Sequence, residues 1–373
     1  MIRVGITGQA GFVGTHLYHL MGTQPETYER IPFEDVFFKD KQTLRQFVKQ
    51  CDVIVHLAAM NRHEDPQVIY DTNVQLTQQL IDAMIAEGVT PQVLLSSSTQ
   101  EERDNLYGAS KRECRERLSA WATTHGAKFV GCVIPNVFGP FGRPHYNSVV
   151  ATFCHLLTHG GQPTIQIDGE LPLIYVGELC ECFLQLIQSG ANNPCYRVPH
   201  QRVCKVSELL AIFESFKTLY LEQGVIPYLP TPFDVRLFNT FCGYIDHHAV
   251  YPMSLKANTD ARGSFVETMR LDRMGGQVSF STTHPGITRG NHYHTRKVER
   301  FAVIKGKALI ELRRIGTDEV LKFEVDGSQP AFVDMPVWYT HNITNIGEEE
   351  LYTLFWINEF YNPEDPDTFF EKV

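Results

Sequence analysis

The chain opens on Ile2-Arg-Val-Gly-Ile-Thr7, whose apolar residues recur as they do along a buried strand. Gly8, Gly11 and Gly14 follow at once and lead into Thr15-His-Leu-Tyr-His-Leu-Met21, so strand, glycine turn and helix succeed one another. Further apolar runs predict strands near Thr27–Phe33, Cys51–Ala59, Pro91–Ser98 and from Lys128, with helices around Asp71–Glu87 and from Tyr107. That alternation predicts a doubly wound parallel sheet. Ser207 reads as the N-cap of a helix over Glu208–Gln223. Pro227, Pro230 and Pro232 then interrupt the periodicity, and Asp246–Pro252 continues the irregular run. Beyond it, short β-rich runs alternate with glycine turns and predict an all-β domain. The expected domains are residues 1–243 and 250–373.

Composition narrows the setting. A length of 373 residues suits two or three cores, and 43% hydrophobic with 20% charged residues is that of a soluble globular protein. No apolar run approaches the ~20 residues of a membrane span, and the first residues read as a strand rather than a signal peptide. A cytoplasmic protein without a membrane partner is expected. A net charge of −10 argues against nucleic acid as a partner and obliges any anionic substrate to find local basic residues. The nine cysteines contain no Cys-x-x-Cys pair and read as thiols. All lie at or before Cys242, so a metal site further on must use nitrogen and oxygen ligands.

Two groups of residues carry candidate chemistry. In the first half, Gly8, Gly11 and Gly14 permit a tight turn and close backbone approach, and the following helix N-terminus attracts a pyrophosphate. The strand over Cys51–Ala59 ends in small residues where a cofactor can pass. No acidic residue closes the second strand cleanly. Arg30 would favour a ribose 2′-phosphate, hence NADP, or be a solvated strand residue. Tyr107 and Lys111 lie four apart on one helix face. An ammonium there would lower the phenol's pKa, and the pair can exchange a proton with an oxygen whose carbon gains or loses hydride. Ser98 can hold that oxygen. Asn61 and Arg62 follow the third strand, and Arg143, His145 and Asn147 form a later polar loop; each is a candidate for substrate contact or plain surface.

In the second half, alternation puts His292 and His294 on one face, and Glu299 and His341 can join them from neighbouring strands. Three nitrogens and one oxygen make zinc the first choice of divalent metal, with manganese, iron and nickel open. Such a metal would serve catalysis or staple the fold.

The order of motifs is that of a known family. Thr7-Gly-x-x-Gly-Phe-x-Gly14, His56-Leu-Ala-Ala59, Ser96-Ser-Ser98, Tyr107-x-x-x-Lys111 and Pro135-Asn136-Val-Phe-Gly-Pro140 resemble the extended short-chain dehydrogenase/reductases. The resemblance implies a Rossmann-like domain with NADPH held by Gly8, Gly11, Phe12, Val13, Gly14, Arg30, Leu57, Ala58, Ala59, Tyr107 and Lys111. Ser98 becomes the oxyanion partner, Tyr107 the acid, Lys111 its modulator and Asn136 a substrate contact. Only eight residues separate Ser98 from Tyr107, fewer than is usual in that family, which leaves Ser97 and Ser98 both open as the hydroxyl. The histidine–glutamate set, with Gly286, Gly306 and Asn345 around it, fits both cupin motifs, with Trp338 where the second has glycine. Asp260–Glu267 and Thr288–His292 look like nucleotide-sugar 3,5-epimerases, in which arginines hold the diphosphate and a histidine is the base without metal. That implies Arg262 and Arg289 as substrate contacts and sets base against ligand at His292, where the full ligand set favours ligand. Together the halves resemble bifunctional reductase–epimerases of bacterial capsule and O-antigen synthesis, which implies a UDP-sugar substrate and a homodimer.

Overall fold

A computed structural model describes the chain apart from residues 256, 261–262, 267–268, 273–275 and 360–361. It divides into two compact units, 1–138 with 142–149 and 169–204, and 139–141 with 150–168 and 205–373.

The first unit is built on a parallel sheet. Its strands are β1 (Ile2–Thr7), β2 (Tyr28–Ile31), β3 (Val53–His56), β4 (Gln92–Ser98), β5 (Phe129–Ile134) and β6 (Asn193–Arg197). They lie in the order β2-β1-β3-β4-β5-β6. Helices α1 (Phe12–Gly22), α2 (Pro66–Glu87) and α3 (Leu106–His125) connect them. One core cluster runs through Phe33, Phe47, Ile54, Leu80, Met84, Leu95, Leu118 and Trp121, all buried. The chain leaves β1 towards β2 and returns to β3 on the other side of β1, so the strand order reverses between β1 and β3. In open α/β sheets a crevice for ligands forms at the carboxyl ends of strands at such a reversal.

The second unit carries two five-stranded antiparallel sheets. Its strands include β7 (Gln277–Thr283), β8 (Thr288–Tyr293), β9 (Glu299–Lys305), β10 (Lys307–Arg314), β11 (Val320–Asp326), β12 (Ala331–Met335), β13 (Tyr339–Asn345), β14 (Leu351–Ile357) and β15 (Phe369–Phe370). One sheet runs Met253–Ser254, β12, β9, β14, β7 and the other β11-β10-β13-β8-β15. This is the jelly-roll barrel of the cupins, so the chain is α/β plus all-β, as its sequence predicts.

Two expectations need correction. Lys205, not Ser207, precedes the helix α4 (Val206–Phe216), and a π-helical turn, Lys217–Glu222, follows it. The Ser207 hydroxyl instead donates to Asp168 at 2.8 Å, and Glu208 accepts from the Lys205 N–H at 3.1 Å. The proline-marked stretch is also less irregular than it reads. Pro232 opens the helix α5 (Pro232–Cys242), where its missing N–H costs nothing, and Thr231 and Asp234 cap one another through backbone bonds of 3.2 and 3.1 Å.

A buried charge pair shapes this unit. Arg300 of β9 lies directly opposite Asp334 of β12, and the guanidinium fork meets the carboxylate through bonds of 2.8 and 2.9 Å. Both side chains are almost fully buried, at 1% and 2% exposure. The Arg300 guanidinium also stacks on Phe332 at 3.6 Å and donates to the Gly224 carbonyl at 3.4 Å. Strand alternation then turns the neighbouring Glu299 to the opposite face of β9.

Candidate functional site

In the first unit, the turn after β1 is held open by glycines. Gly8 adopts φ 69°, and a Cβ there would stand 2.8 Å from the Ala58 nitrogen. Gly11 caps α1 without any side-chain hydrogen bond, which leaves the first amide groups to a ligand. Phe12 and Val13 begin that helix, while Leu57, Ala58 and Ala59 leave β3 beside it, half-buried. Both turns sit at the reversal between β1 and β3. The backbone cradle thus fits the pyrophosphate of a dinucleotide.

Arg30 does not reach this cradle. Its guanidinium donates to the Tyr18 carbonyl at 3.2 Å and stacks over the Tyr18 ring at 4.3 Å. Tyr18 lies about 10 Å along α1 from the glycine turn at 1.5 Å per residue.

Tyr107 and Lys111 face β4. Lys111 is buried and donates to the Ser96 carbonyl at 2.9 Å, with its ammonium 5.8 Å from the Tyr107 ring centre. Burial pulls the Lys111 pKa down to about 8. Burial also pushes the Tyr107 phenol up to about 12, and a hydrogen bond with Ser98 offsets this only in part. The expected lowering of the phenol by the ammonium is therefore not found; desolvation is the largest cause, and Lys111 spends a donor on backbone. A phenol raised this far is fully protonated at neutral pH, ready to donate.

Ser97 and Ser98 stand in different surroundings. Ser97 is buried and donates to the carboxylate of Glu101, which Arg115 holds at 2.8 Å. Ser98 is the serine that bonds Tyr107. The short connection works because Thr99–Glu102 coils into one tight turn, capped by Ser98, and Asn105 caps α3 at once. Gly108 packs so closely that a Cβ would stand 2.0 Å from the Gln100 carbonyl oxygen.

Three supporting residues carried no functional reading from sequence. His56 is buried between the hydroxyls of Thr7 and Thr77, at 2.7 and 3.1 Å. Burial and the Lys111 charge drive its pKa down to about 3, so it is neutral. Asn73 ties the loop at Met60 to the Ser110 hydroxyl on α3, through bonds of 2.7 and 3.0 Å. Glu101 is the third, and only its distance from Arg115 in sequence hid it.

The proposed substrate contacts lie in two loops. Asn61 follows β3, and Arg62 donates to the carbonyls of His145 and Tyr146 at 2.7 and 3.2 Å, joining the two loops. Arg143 stacks over Tyr146 at 5.2 Å, and Asn147 is exposed beside it. Asn136 instead donates to the Pro172 carbonyl at 3.2 Å. Arg262 lies outside the described residues, and Arg289 is exposed on β8.

In the second unit, His292, His294, Glu299 and His341 do converge. Their ligand atoms all lie within 4.8 Å of one another. Glu299 Oε2 is 2.9 Å from His341 Nε2, 3.3 Å from His294 Nε2 and 4.0 Å from His292 Nε2. Among the described residues, these Glu299, His341 and His294 atoms are buried and lack hydrogen-bond partners. The outward nitrogens are occupied. His294 and His341 Nδ1 bond the carbonyls of Asp367 and Tyr339 at 2.5 and 3.2 Å, and His292 bonds the Gly290 backbone. A carbonyl only accepts, so these rings carry a proton on the outward nitrogen and turn Nε2 inward, the atom a neutral ring would offer to a metal. Buried imidazole nitrogens gathered around a carboxylate fit a divalent ion. Burial and the two other histidines pull the His292 pKa down to about 4. Burial opposes ionisation of Glu299, yet His294 and His341 hold its carboxyl well below the usual range.

Trp338 adopts φ 62°, keeping the left-handed turn that the motif's glycine would give. Its N–H donates to the His294 carbonyl at 2.8 Å, and its ring stacks on Tyr293.

Residues 4–198 match the model of the NAD dependent epimerase/dehydratase family, and residues 258–369 match a polysaccharide biosynthesis C-terminal domain. The chain belongs to the NAD-dependent epimerase/dehydratase family, within its nucleotide-sugar reductase/epimerase class, and a nicotinamide cofactor goes with that family. It is 33% identical to the UDP-2-acetamido-2,6-beta-L-arabino-hexul-4-ose reductase of Pseudomonas aeruginosa, over 99% of this chain and 98% of that one. The capsular polysaccharide assembling protein CapF of Staphylococcus aureus superposes with a TM-score of 0.62 at 32% identity, covering all of both chains. The spore coat polysaccharide biosynthesis protein SpsL of Bacillus subtilis is 29% identical over 30% of this chain and 81% of its own. No described helix is long and apolar enough to cross a membrane.

Proposed function

We propose that the chain carries two successive steps on one UDP-sugar. The cupin site epimerises carbon 3 of a UDP-2-acetamido-2,6-dideoxy-4-keto-hexose, and the Tyr107 site reduces the 4-keto group with NADPH. The product is UDP-2-acetamido-2,6-dideoxy-L-talose, on the route to UDP-N-acetyl-L-fucosamine, made by a cytoplasmic homodimer whose functional halves are residues 1–243 and 250–373. The observation that carries this reading is a complete proton-donor set, Ser98, Tyr107 and Lys111, in the same chain as the His292–His294–Glu299–His341 cluster. End-to-end likeness to a UDP-2-acetamido-2,6-beta-L-arabino-hexul-4-ose reductase supports it.

The order of steps follows from the chemistry. A carbonyl at carbon 4 acidifies the proton on carbon 3, so a base removes it and returns it to the other face. When bound, the nicotinamide supplies hydride and the divalent ion, which His292, His294, Glu299 and His341 would hold, supplies positive charge. Ser98 orients the carbonyl oxygen, and Tyr107 passes its proton to that oxygen as the alkoxide develops. The Lys111 ammonium then favours the phenolate left behind. Reduction removes the carbonyl and ends further epimerisation. Arg62, Arg143, His145 and Asn147, with Asn61, offer polar groups to the substrate.

Incubating the full chain with candidate UDP-4-keto sugars and NADPH, and identifying the product by NMR, tests the proposal. A reduced product that keeps its carbon-3 configuration would leave a plain reductase and a non-catalytic cupin. NADPH is expected to give a higher kcat/KM than NADH, because no acidic residue closes β2; an equal or higher value for NADH removes the preference. Since Tyr18 occupies the Arg30 guanidinium, Arg30→Ala should leave the ratio largely unchanged. Metal analysis is expected to find a divalent ion in the purified protein and to lose it in His341→Ala. Equal content in both takes His341 out of the site.

A further inference from the structure

A segment near the end of the chain runs behind the histidine–glutamate cluster. Asp367 is 4% exposed and adopts φ 41°, a left-handed conformation that aspartate and asparagine tolerate better than most residues. Both ends of this residue are engaged. Its backbone carbonyl accepts from His294 Nδ1, 73 positions earlier, at 2.5 Å. Its carboxylate accepts from the Thr295 N–H at 3.1 Å, the Arg296 N–H at 3.0 Å and the Thr295 hydroxyl at 2.7 Å. Next to it, the Pro366 carbonyl accepts from the ammonium of buried Lys297 at 2.6 Å. Residues 294–297 are thus bound, one after another, to residues 366–367.

We propose that Asp367 is a positioning residue for the metal centre, fixing the tautomer and the aim of His294 while its carboxylate holds the strand end that carries this ligand. The proposal rests on the reading of the cluster as a divalent-metal site. The carbonyl alone would not suffice, since nothing else on residue 367 keeps it facing the imidazole. Without the carboxylate, the N–H groups of 295 and 296 lose their acceptor, the hold between the segments falls back on the Lys297, Arg296 and strand contacts around it, and His294 is freer to carry its proton on Nε2. In that tautomer it has no lone pair to offer inward.

Zinc affinity of the full chain, measured by competition with a chromogenic chelator, reads this without reference to activity. Asp367→Ala is expected to bind zinc ~10–100-fold more weakly, the range for removing a ligand's hydrogen-bonded support. Asp367→Asn keeps an acceptor oxygen and the left-handed backbone, and should recover most of the affinity. Asp365→Ala, which removes an exposed pair with Arg296, should leave it unchanged. A second readout is the rise in melting temperature on adding zinc, which should shrink in Asp367→Ala. A variant whose metal-stripped and zinc-loaded forms fall by equal amounts, with unchanged affinity, would show a structural role only and overturn the proposal. Should Asp367→Ala not fold, Thr295→Val decides: it removes one bond to the same carboxylate and should weaken zinc severalfold, whereas unchanged affinity overturns the idea. If the unaltered protein binds no zinc, the metal reading itself fails, which is a different result from equal binding by protein and variant.

Discussion

Tyr107→Phe is expected to lower NADPH oxidation by ~10²–10⁴-fold, the usual worth of a positioned general acid. Burial holds the phenol at about 12, so at neutral pH it is a proton donor. Phenylalanine fills the same space and leaves Lys111 on the Ser96 carbonyl, but the developing alkoxide has no proton to take. The same full-length variant should still exchange the carbon-3 proton of the 4-keto sugar with D₂O, because the histidine–glutamate cluster lies on other residues. Deuterium at carbon 3, followed by mass spectrometry, separates the half-reactions. Loss of both activities would mean that exchange depends on Tyr107, and loss of neither would take the tyrosine out of the chemistry. The full chain is the right material for this, because the compact unit holding the cupin strands also includes residues from 205 onward. A fragment begun near Tyr251 would strip the Gly224 segment from Arg300.

The second large effect is on stability. Asp334→Ala should cost ~3–5 kcal/mol, since it leaves the Arg300 guanidinium buried without its counter-charge. Replacing both partners, Arg300→Met with Asp334→Leu, should recover most of the loss, because no charge is then stranded. Urea unfolding followed by tryptophan fluorescence measures both, as Trp338 and Trp356 sit in this unit and only Trp121 in the other. A cost under about 1 kcal/mol for Asp334→Ala would put the pair among exposed bridges and overturn the assignment.

What could be read from sequence was what repeats or what chemistry spaces rigidly. The glycine turn after β1 follows from a strand running into a helix, and Tyr107 and Lys111 meet because four residues make about one helical turn. His292 and His294 share a face through the two-residue period of a strand. Charges inside the fold were hidden by the same rules. Arg300 looks like an outward residue in an alternating strand, and Tyr220 with the Gly224 carbonyl, far off in sequence, covers that position. Asp367 carries no local signal, because its partners lie 71 to 73 positions away. The helix at Pro232 was lost to its own proline, which breaks a helix anywhere but at its start. Arg30 stayed open between two readings for another reason. A guanidinium has several donors, and sequence does not tell whether the nearest carbonyl, here Tyr18, takes one first.

The contact at Gly108 reaches beyond the glycine itself. Backbone meets backbone there, so the turn at Thr99–Glu102 sets the height and rotation of α3 without side chains to take up an error. Adding or deleting one residue within the helix start would turn every later position by about 100°. Tyr107 and Lys111 would then no longer share the face that looks at Ser98. At its present length, the meeting of Tyr107 and Lys111 with Ser98 therefore rests on this backbone contact, and a side chain added at Gly108 would push away the helix that carries both.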